Sequence, residues 1–253
     1  MSLLLHAQFA ATAASLEQLP RDALAELAFV GRSNAGKSSA INAICQRKRL
    51  AFASRTPGRT QALNLFALRA AAGEGAPALA RLVDTPGYGY AQAPLAVKRQ
   101  WDGLAGRYLR QRPTLRAVVV VSDIRRGLTA LDHALLAWIP AHVPRMILLS
   151  KADKLGYQER LQAQSRVRDQ LLPGEHGDAG ACSMALFSAT QGWGVDEART
   201  WIACQLGETV QANSAVHREE KSSPGRPAVV NASPARAPLS EEKREVDCRA
   251  LRK

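Results

Sequence analysis

The sequence predicts an α/β domain whose mostly parallel sheet is covered by helices on both faces. Short apolar runs rich in Val, Leu and Ile alternate along the chain with longer amphipathic stretches. A run that is apolar at every position suits a strand buried on both faces, and such strands are typical of parallel sheets. No internal repeat is evident. We therefore expect three layers, with the sheet in the middle.

Six apolar runs are predicted to be strands, and five amphipathic stretches are predicted to be helices. The strands are expected at 27–30 (LAFV), 62–68 (ALNLFAL), 78–83 (ALARLV), 116–122 (RAVVVVS), 145–150 (RMILLS) and 183–188 (SMALFS). The helices are expected at 37–47, 94–112, 129–139, 157–171 and 195–206. This alternation favours a doubly wound fold.

The second predicted helix, 94–112, has one apolar face and a basic remainder. Its apolar residues at helical spacing are Val97, Trp101, Leu104 and Tyr108. The other faces carry Lys98, Arg99, Arg107 and Arg110. This pattern predicts a surface helix whose outer side is positively charged.

The chain as a whole is strongly basic. Its 253 residues include 34 Lys or Arg and 22 Asp or Glu, for a formal charge of +12, and 46% of them are apolar. That apolar share is enough for a sizeable core and excludes a wholly disordered chain. Arginine supplies most of the cations, which suits bidentate phosphate recognition but equally a coding bias toward arginine.

Composition divides the chain into three segments. Residues 210–253 contain Pro-Gly, Ser-Pro and Ala-Pro pairs and no aromatic residue, so they lack the apolar surface that offsets the entropy of ordering. We predict a folded domain at 25–208, an N-terminal extension at 1–24 that packs on it, and a disordered basic tail at 209–253. Residues 210–253 carry a net +3, so +9 belongs to the rest of the chain.

Cysteine usage and hydropathy exclude several classes of protein. The four cysteines are scattered, without a C-x-x-C pair or a histidine cluster, which argues against a zinc site or a disulfide framework. No apolar run approaches the ~18 residues that span a bilayer, and the N-terminus lacks the positive flank of a secretory signal. We therefore expect a cytoplasmic protein without a membrane span, and a monomer.

A phosphate-binding loop directly follows the first predicted strand. The complete pattern G-x-x-x-x-G-K-[ST] is matched by Gly31, Arg32, Ser33, Asn34, Ala35, Gly36, Lys37 and Ser38. Its glycines let consecutive backbone N–H groups point at phosphates, and the helix that follows presents its positive N-terminus. Lys37 is then expected to bridge the β- and γ-phosphates, and Ser38 to offer its hydroxyl to Mg²⁺.

Segments after the third and fifth predicted strands indicate which nucleotide is bound. After the third strand come Asp84, Thr85, Pro86 and Gly87. They would place a carboxylate near Mg²⁺ and a glycine N–H near the γ-phosphate. After the fifth come Ser150, Lys151, Ala152, Asp153 and Lys154. There, the Asp153 carboxylate can accept hydrogen bonds from guanine N1–H and the exocyclic amine, while the Lys151 stem packs over the base.

The base is expected to be guanine, because adenine offers no such pair of donors. A further segment, Phe187, Ser188 and Ala189, closes the last predicted strand and is suited to donating a backbone N–H to guanine O6. All these segments lie at strand ends, where doubly wound folds bind their ligands. Together they predict a site for GTP and GDP.

The strings GRSNAGKSS, TPGRTQ, DTPGYGYA, SDIRRGL and SKADK resemble the EngB (YihA/YsxC) family of bacterial ribosome-biogenesis GTPases, in the TrmE-Era-EngA-EngB-septin-like class. The likeness covers residues 7–208. It implies a three-layer P-loop GTPase (Ras-like) domain that uses Mg²⁺. The sequence departs from the family at Ser150, where Thr or Asn is usual. Because Ser keeps a hydroxyl, we expect a small effect on affinity and none on specificity.

The resemblance also assigns residues that spacing alone does not. It implies that Thr60 is the switch I threonine, which ligates Mg²⁺ beside Ser38 once GTP is bound. It implies that the nucleotide is further lined by Gly58, Arg59, Thr60, Gln61 and Ala62. It also implies a K⁺ ion held against the phosphates at Asn34, with a mere loop-stabilising role as the alternative. Lys37, Asn34 and Thr60 are then the expected catalytic residues.

Three nearby residues leave alternatives open or limit the rate. Arg32 and Arg59 could act as arginine fingers in cis, but contact with a partner is favoured for both. In Ras-like enzymes, a glutamine after D-x-x-G orients the attacking water. Here Tyr88 takes that place, so unassisted hydrolysis is expected to be slow.

Two functions remain open at this point. In the first, the GTP form binds the precursor of the large ribosomal subunit, with its rRNA and ribosomal proteins, and hydrolysis releases it; the family resemblance adds a requirement for normal septation. In the second, the nucleotide gates an interaction with division or envelope proteins, and hydrolysis is incidental. The basic helix 94–112 directly follows the segment that γ-phosphate loss should move, which favours the first.

Overall fold

The computed structural model describes residues 3–52, 62–73, 75–89, 103–171 and 182–220, with side chains described up to residue 207. These ranges contain a seven-stranded sheet with the order β1-β3-β4-β2-β5-β6-β7. The strands are β1 (Ala7–Ala13), β2 (Ala25–Gly31), β3 (Leu63–Arg69), β4 (Ala78–Asp84), β5 (Leu115–Asp123), β6 (Arg145–Ser150) and β7 (Cys182–Leu186). The helices are α1 (Lys37–Ile44), α2 (Leu104–Gln111), α3 (Ala130–Trp138), α4 (Tyr157–Gln170) and α5 (Val195–Glu220).

The sheet is mostly parallel, as the apolar runs predict. β2 pairs in parallel with β4 and β5, and β6 continues the parallel pairing between β5 and β7. Only β3 and β1, at one side, pair antiparallel to their neighbours. All six predicted strands are present. Five of them therefore end at the same edge, which gathers the loops that follow β2, β4, β5, β6 and β7.

Two apolar cores separate the sheet from its two helix layers. On one face, Ile41 of α1 and Ile202 of α5 pack over strand residues such as Phe29. On the other face, Leu135 of α3 and Val167 of α4 pack over the opposite side of the strands, together with α2. Successive residues of a strand point to opposite faces, so each buried strand contributes to both cores. The three-layer prediction is confirmed.

The N-terminal extension forms part of the sheet. Residues Ala7–Ala13 form edge strand β1, paired antiparallel with β3, after a short 3-10 turn at Leu3–His6. The sequence did not predict this strand because AQFAATA is rich in alanine and has no continuous apolar run. Only the first and last residues of β1 are buried, and Phe9 is 59% exposed.

The helix boundaries differ from prediction at the C-terminal end of the chain and at Gly103, which is extended and directly precedes α2. Residues 94–102 lie outside the described residues, while α2 keeps Tyr108 inward and Arg107 and Arg110 exposed, as predicted. At the other end of the chain, α5 continues to Glu220, beyond the predicted helix end at residue 206. The physical reason is that no proline or glycine occurs between Gly207 and Pro224, so nothing there interrupts the helical hydrogen bonds.

A buried charged cluster fixes α2 to the sheet. Glu26 of β2 is fully buried and accepts hydrogen bonds from Arg112 Nε at 2.9 Å and Tyr108 Oη at 2.9 Å. Arg112 also donates to the carbonyl of Pro20 at 2.7 Å. Burial and the neighbouring Glu26 carboxylate raise the pKa of Tyr108 well above its usual range, so its phenol stays protonated as a donor. The cluster holds the end of α2 in place.

None of the helices in the described part of the chain is long and apolar enough to cross a membrane.

Candidate nucleotide-binding site

The phosphate loop leaves part of its backbone free to bind an anion. Gly36 precedes α1 with φ +99°, a left-handed conformation that favours glycine. The amide of Ser33 donates to the Tyr88 carbonyl at 2.9 Å, and that of Ala35 donates to the Arg32 carbonyl at 3.0 Å. Between Ser33 and the first turn of α1, the amides of Asn34, Gly36, Lys37 and Ser38 have no acceptor among the described residues. These four are the donors expected to meet phosphate oxygens.

Lys37 and Asp84 lie side by side at the mouth of this loop. The Lys37 amine forms an ion pair with the Asp84 carboxylate, and both side chains are nearly buried, with 11% and 7% exposed. Lys37 opens α1, and Asp84 ends β4, so the parallel pairing of β2 with β4 brings them together. The site thus holds the cation that phosphates need beside the carboxylate that suits a hard metal ion. Ser38 follows, half-buried, in the first turn of α1.

The segment after Asp84 is held against the phosphate loop. Both the amide and the hydroxyl of Thr85 donate to the Phe29 carbonyl, at 3.1 and 3.0 Å. Thr85 was predicted to line the nucleotide; in the structure it is buried and fastens the segment to β2. Pro86 and Gly87 are half-buried beyond it, and a Cβ added at Gly87 would lie 3.1 Å from the backbone of Ser33 in the phosphate loop.

Asp153 is prepared to accept hydrogen bonds. Its Oδ1 accepts from the Ser188 hydroxyl at 2.7 Å, and this bond lowers the pKa of the Asp153 carboxyl. An ionised carboxylate is an acceptor only, as recognition of two guanine donors requires. Lys154 lies beside it, with Nζ 3.4 Å from Oδ2, and Ala152 is buried behind it.

In the loop after β7, one backbone amide is left to donate a hydrogen bond to the base. The Phe187 amide donates to the Leu149 carbonyl at 2.9 Å, and the Ser188 amide donates to the Trp193 carbonyl at 3.0 Å. The Ala189 amide has no acceptor within the described ranges. Of the three residues predicted to donate to guanine O6, Ala189 is therefore the one whose amide is not already engaged by the described residues.

Ser150 and Lys151 connect the guanine segment to the phosphate loop. The buried Ser150 hydroxyl contacts two carbonyls, donating to that of Ala35 and lying 3.1 Å from that of Ser122. Lys151, with φ +59°, donates through Nζ to the Asn34 carbonyl at 2.7 Å. These contacts fix the distance between the base-binding and phosphate-binding parts of the site.

The Asp123 carboxylate at the end of β5 is paired with Lys151 and so helps to hold the guanine segment beside the phosphate loop. Its Oδ2 lies 3.0 Å from Lys151 Nζ and 2.6 Å from an Arg125 nitrogen, while Oδ1 accepts the Arg125 amide at 3.2 Å. Burial opposes ionisation, but the hydrogen bonds from Arg125 and Lys151 outweigh it and hold the pKa of Asp123 well below its usual range. Asp123 thereby also caps the turn that leads to Gly127.

One contact at the site, between Tyr88 and Asp132, was not predicted from the sequence. Tyr88 Oη donates to Asp132 Oδ1 at 2.5 Å, and Asp132 is fully buried at the start of α3. The same carboxylate accepts from the Thr129 amide at 2.7 Å and from its hydroxyl at 2.6 Å, which is a capping box. The spacing Thr-x-x-Asp signals the cap, but nothing in the sequence signals the tyrosine.

Some predicted site residues lie outside the described residues. These are Gly58, Arg59, Thr60 and Gln61, whereas Ala62 is half-buried directly before β3. Within the described part of the chain, no group of three or more His, Cys, Asp or Glu side chains could hold a metal ion. A metal that relies on one or two protein ligands plus phosphate oxygens needs no such group.

Phosphate-binding amides and an ionised carboxylate for guanine meet at the carboxyl edge of a Ras-like sheet, and a domain with this combination is a P-loop GTPase. A protein-family profile described as "50S ribosome-binding GTPase" matches residues 26–151. The "Probable GTP-binding protein EngB" of Dechloromonas aromatica is 46% identical over 226 residues, which are 89% of this chain and 98% of that protein. Its namesake from Bordetella pertussis is 47% identical over 208 residues, 80% of this chain and 98% of that protein. The chain belongs to the EngB family of GTP-binding proteins.

The fold is shared more widely than the sequence. The translation elongation factor SelB from Methanococcus maripaludis, in complex with the GTP analogue GppNHp, superposes with a TM-score of 0.50 at 17% identity. The match covers 73% of this chain and 34% of that chain. This likeness concerns the fold alone. The GTPase fold, the binding of GTP and GDP, and the family resemblance predicted from the sequence are all confirmed.

Proposed function

We propose that this GTPase is a switch in assembly of the large ribosomal subunit: its GTP form binds the precursor particle, and hydrolysis releases it. The observation that carries the proposal is the order of elements along the chain. The Asp84–Gly89 segment, which should respond to the γ-phosphate, is followed in the chain by α2, whose Arg107 and Arg110 are exposed. The description "50S ribosome-binding GTPase" of the matching family supports the same partner.

Normal septation and a cytoplasmic location belong to the same proposal. A protein that acts on ribosomal precursors works where they assemble, and slower ribosome supply would delay division. The precursor's rRNA and ribosomal proteins are then the partners, and the protein acts as a monomer.

Magnesium fits the side chains at the phosphate loop. The nearly buried Asp84 carboxylate and the Ser38 hydroxyl supply the oxygen ligands that this hard cation prefers, and Thr60 would join them in the GTP form. When bound, the ion neutralises charge on the β- and γ-phosphates. Lys37 does the same from the protein, because its amine already lies at this edge.

Hydrolysis by the isolated protein is proposed to be slow. The residue that follows D-x-x-G is Tyr88, which is buried and donates its hydroxyl to Asp132. Its phenol is therefore committed to α3, and burial beside that carboxylate raises its pKa, so it is no general base. No side chain at this position orients water as a glutamine would.

We propose that a K⁺ ion bound at Asn34 supplies part of the transition-state stabilisation that the protein's own side chains lack. This residue is exposed in the phosphate loop with φ +63°, and its side-chain amide has no hydrogen bond to the described part of the chain, while its carbonyl accepts from Lys151. A cation there would stabilise charge between the β- and γ-phosphates. Single-turnover hydrolysis should be at least about tenfold faster in KCl than in NaCl for the wild type and equal in both salts for Asn34→Ala. Equal wild-type rates in both salts would remove K⁺ from the mechanism.

Co-sedimentation tests the proposed partner. Purified protein is mixed with large-subunit precursors in the presence of a GTP analogue or GDP, across a salt series. We expect retention with the analogue, loss with GDP, and weaker binding as salt rises, because phosphate contacts are salt-sensitive. Retention that ignores both nucleotide and salt would contradict the proposal and favour a division or envelope partner.

A further inference from the structure

We propose that a basic cleft behind the phosphate loop binds a phosphate group of RNA, and that the Tyr88–Gly89 segment controls its shape. We call it the arginine cleft, after Arg32, Arg125 and Arg126, which line it together with Lys151. Its volume is about 220 Å³, far more than a single water molecule needs. The inference rests on the proposed function, since it names the RNA contact of the same switch.

The arginine cleft borders the nucleotide site and shares Lys151 and residues 32–35 of the phosphate loop with it. Its walls are the outer side of the phosphate loop, the turn after β5 and the start of α3. Neither Lys37, Asp84 nor Asp153 lines it. A phosphate in the cleft would therefore be a second one, bound while GTP occupies the loop.

The charge of the cleft is positive and incompletely neutralised. Two carboxylates, those of Asp123 and Asp132, line it against four cations. Asp123 is already paired with Arg125 and Lys151, and Asp132 with neutral donors. Arg32 and Arg126 have no ion-pair partner in the described portion of the chain. Two unpaired guanidinium groups facing one cleft are suited to the oxygens of a phosphate.

The turn that presents Arg126 is already ordered. The Arg126 amide donates to the Asp123 carbonyl at 2.9 Å, and the Ser122 hydroxyl donates to the Gly127 carbonyl at 3.0 Å. The Arg125 side chain is held on Asp123. A backbone fixed in this way loses little further entropy when a ligand binds.

The wall formed by Arg32 touches the nucleotide-sensing segment. Arg32 and Tyr88 form an isolated parallel bridge, and a Cβ added at Gly89 would lie 3.1 Å from Arg32 Nε. Tyr88 also bonds Asp132 in the opposite wall. A movement of this segment with the γ-phosphate would shift both walls, so occupancy of the cleft should depend on the bound nucleotide.

The chemistry of the lining favours RNA over a protein partner. Apart from Ala35 and Gly127, every residue that lines the cleft is polar or charged. The buried centre of a protein interface is enriched in aromatic and apolar side chains, which are absent from this lining. The phosphates of an RNA backbone are bound by cations and hydrogen-bond donors, and the cleft is lined by both.

The test compares Arg126→Gln with Arg116→Gln. Both residues are exposed arginines: Arg126 lies in the turn after β5, and Arg116 is the second residue of that strand, about 20 Å from the cleft. Each change removes one charge and leaves the nucleotide-binding residues intact. A fluorescein-labelled single-stranded RNA and a labelled RNA duplex are titrated at several KCl concentrations, with a GTP analogue or GDP bound. Nucleotide affinity is measured on the same samples.

We expect Arg126→Gln to weaken RNA binding about 3- to 10-fold in the analogue-bound form and to reduce the salt slope by about 0.7–0.9, while Arg116→Gln changes neither. If the two variants weaken RNA binding equally, the cleft is not an RNA-binding site, and an acidic protein becomes the alternative ligand. The same loss with GDP as with the analogue would overturn the control by Tyr88–Gly89. If the wild type binds neither RNA, the proposed function fails together with the cleft.

Discussion

At the scale of single residues, the site depends on short side chains that join its two halves. Ser150 belongs to the guanine segment by sequence, yet its hydroxyl is directed at the carbonyls of Ala35 and Ser122. It therefore acts on the phosphate loop and not on the base. This explains why serine, instead of the usual threonine or asparagine, is compatible with guanine specificity.

Replacing Ser150 by alanine should weaken nucleotide binding without changing base preference. The Ala35 carbonyl would lose its donor at a buried position, which costs about 1–3 kcal/mol. We expect lower stability in urea unfolding and weaker binding of both GTP and GDP, with ATP still excluded. Ser150→Thr, which keeps the hydroxyl, serves as the control. A variant that binds ATP would show that Ser150 contacts the base.

Asp123 should make the folded state sensitive to acid. Its pKa is lowered in the folded protein below the ordinary value of 3.8, so it contributes stability above that pH and loses it as the pH falls through the folded pKa. Asp123→Asn should lower the free energy of unfolding by about 1–3 kcal/mol at pH 7 and reduce its dependence on pH below 4. Urea unfolding between pH 3 and 7 measures both. Parallel pH curves for variant and wild type would contradict the pairing with Lys151 and Arg125.

At the scale of elements, the buried Glu26 cluster determines how α2 sits on the sheet. Glu26 in β2 has no exposed surface, and Arg112 just after α2 supplies the charge that balances it. Arg81 of β4 lies farther away, 3.9 Å from Glu26, and is paired with Asp22. The contacts of Arg112 with Glu26 and Pro20 thus fix the C-terminal end of α2 to the sheet.

Removing Arg112 should destabilise the domain strongly. Arg112→Met would leave the Glu26 charge buried with only distant compensation, so we expect the free energy of unfolding to fall by about 3 kcal/mol. The double variant Glu26→Gln/Arg112→Met should recover part of this loss, because a neutral amide can still accept from Tyr108. Urea unfolding of both variants is the measurement. A double variant less stable than the single one would mean that packing, and not charge, explains the effect.

The elements that the sequence predicted are those with strong local patterns. The apolar runs of β2, β5 and β6 and the amphipathic stretch of α3 are local patterns, and they were sufficient to predict these elements. Strand β1 depends on its pairing with β3, and an alanine-rich segment carries no local pattern that predicts such a pairing. The Tyr88–Asp132 bond and the Asp123–Lys151 pair join residues far apart in sequence, so only the fold reveals them. The site was predictable as a set of motifs, but its internal connections were not.

At the scale of the whole molecule, the excess of positive charge acquires a location. Part of it lines the arginine cleft beside the phosphate loop, and part lies on the outer side of α2. The cleft contacts the Tyr88–Gly89 segment through Arg32, and α2 follows that segment along the chain. A basic surface placed there can bind RNA in one nucleotide state and release it in the other. Positive charge spread evenly over the surface would bind RNA in either nucleotide state.

The most direct measurement uses Asp153→Asn to make particle binding depend on a foreign nucleotide. The amide side chain offers a donor where guanine needs an acceptor, so the variant should lose GTP and gain affinity for xanthosine triphosphate, whose 2-oxo group accepts. We predict that the variant co-sediments with large-subunit precursors in a non-hydrolysable xanthosine triphosphate analogue but not in the GTP analogue. The wild type should behave in the opposite way. Equal co-sedimentation of the variant with both analogues would contradict the claim that nucleotide binding controls the RNA-binding surface.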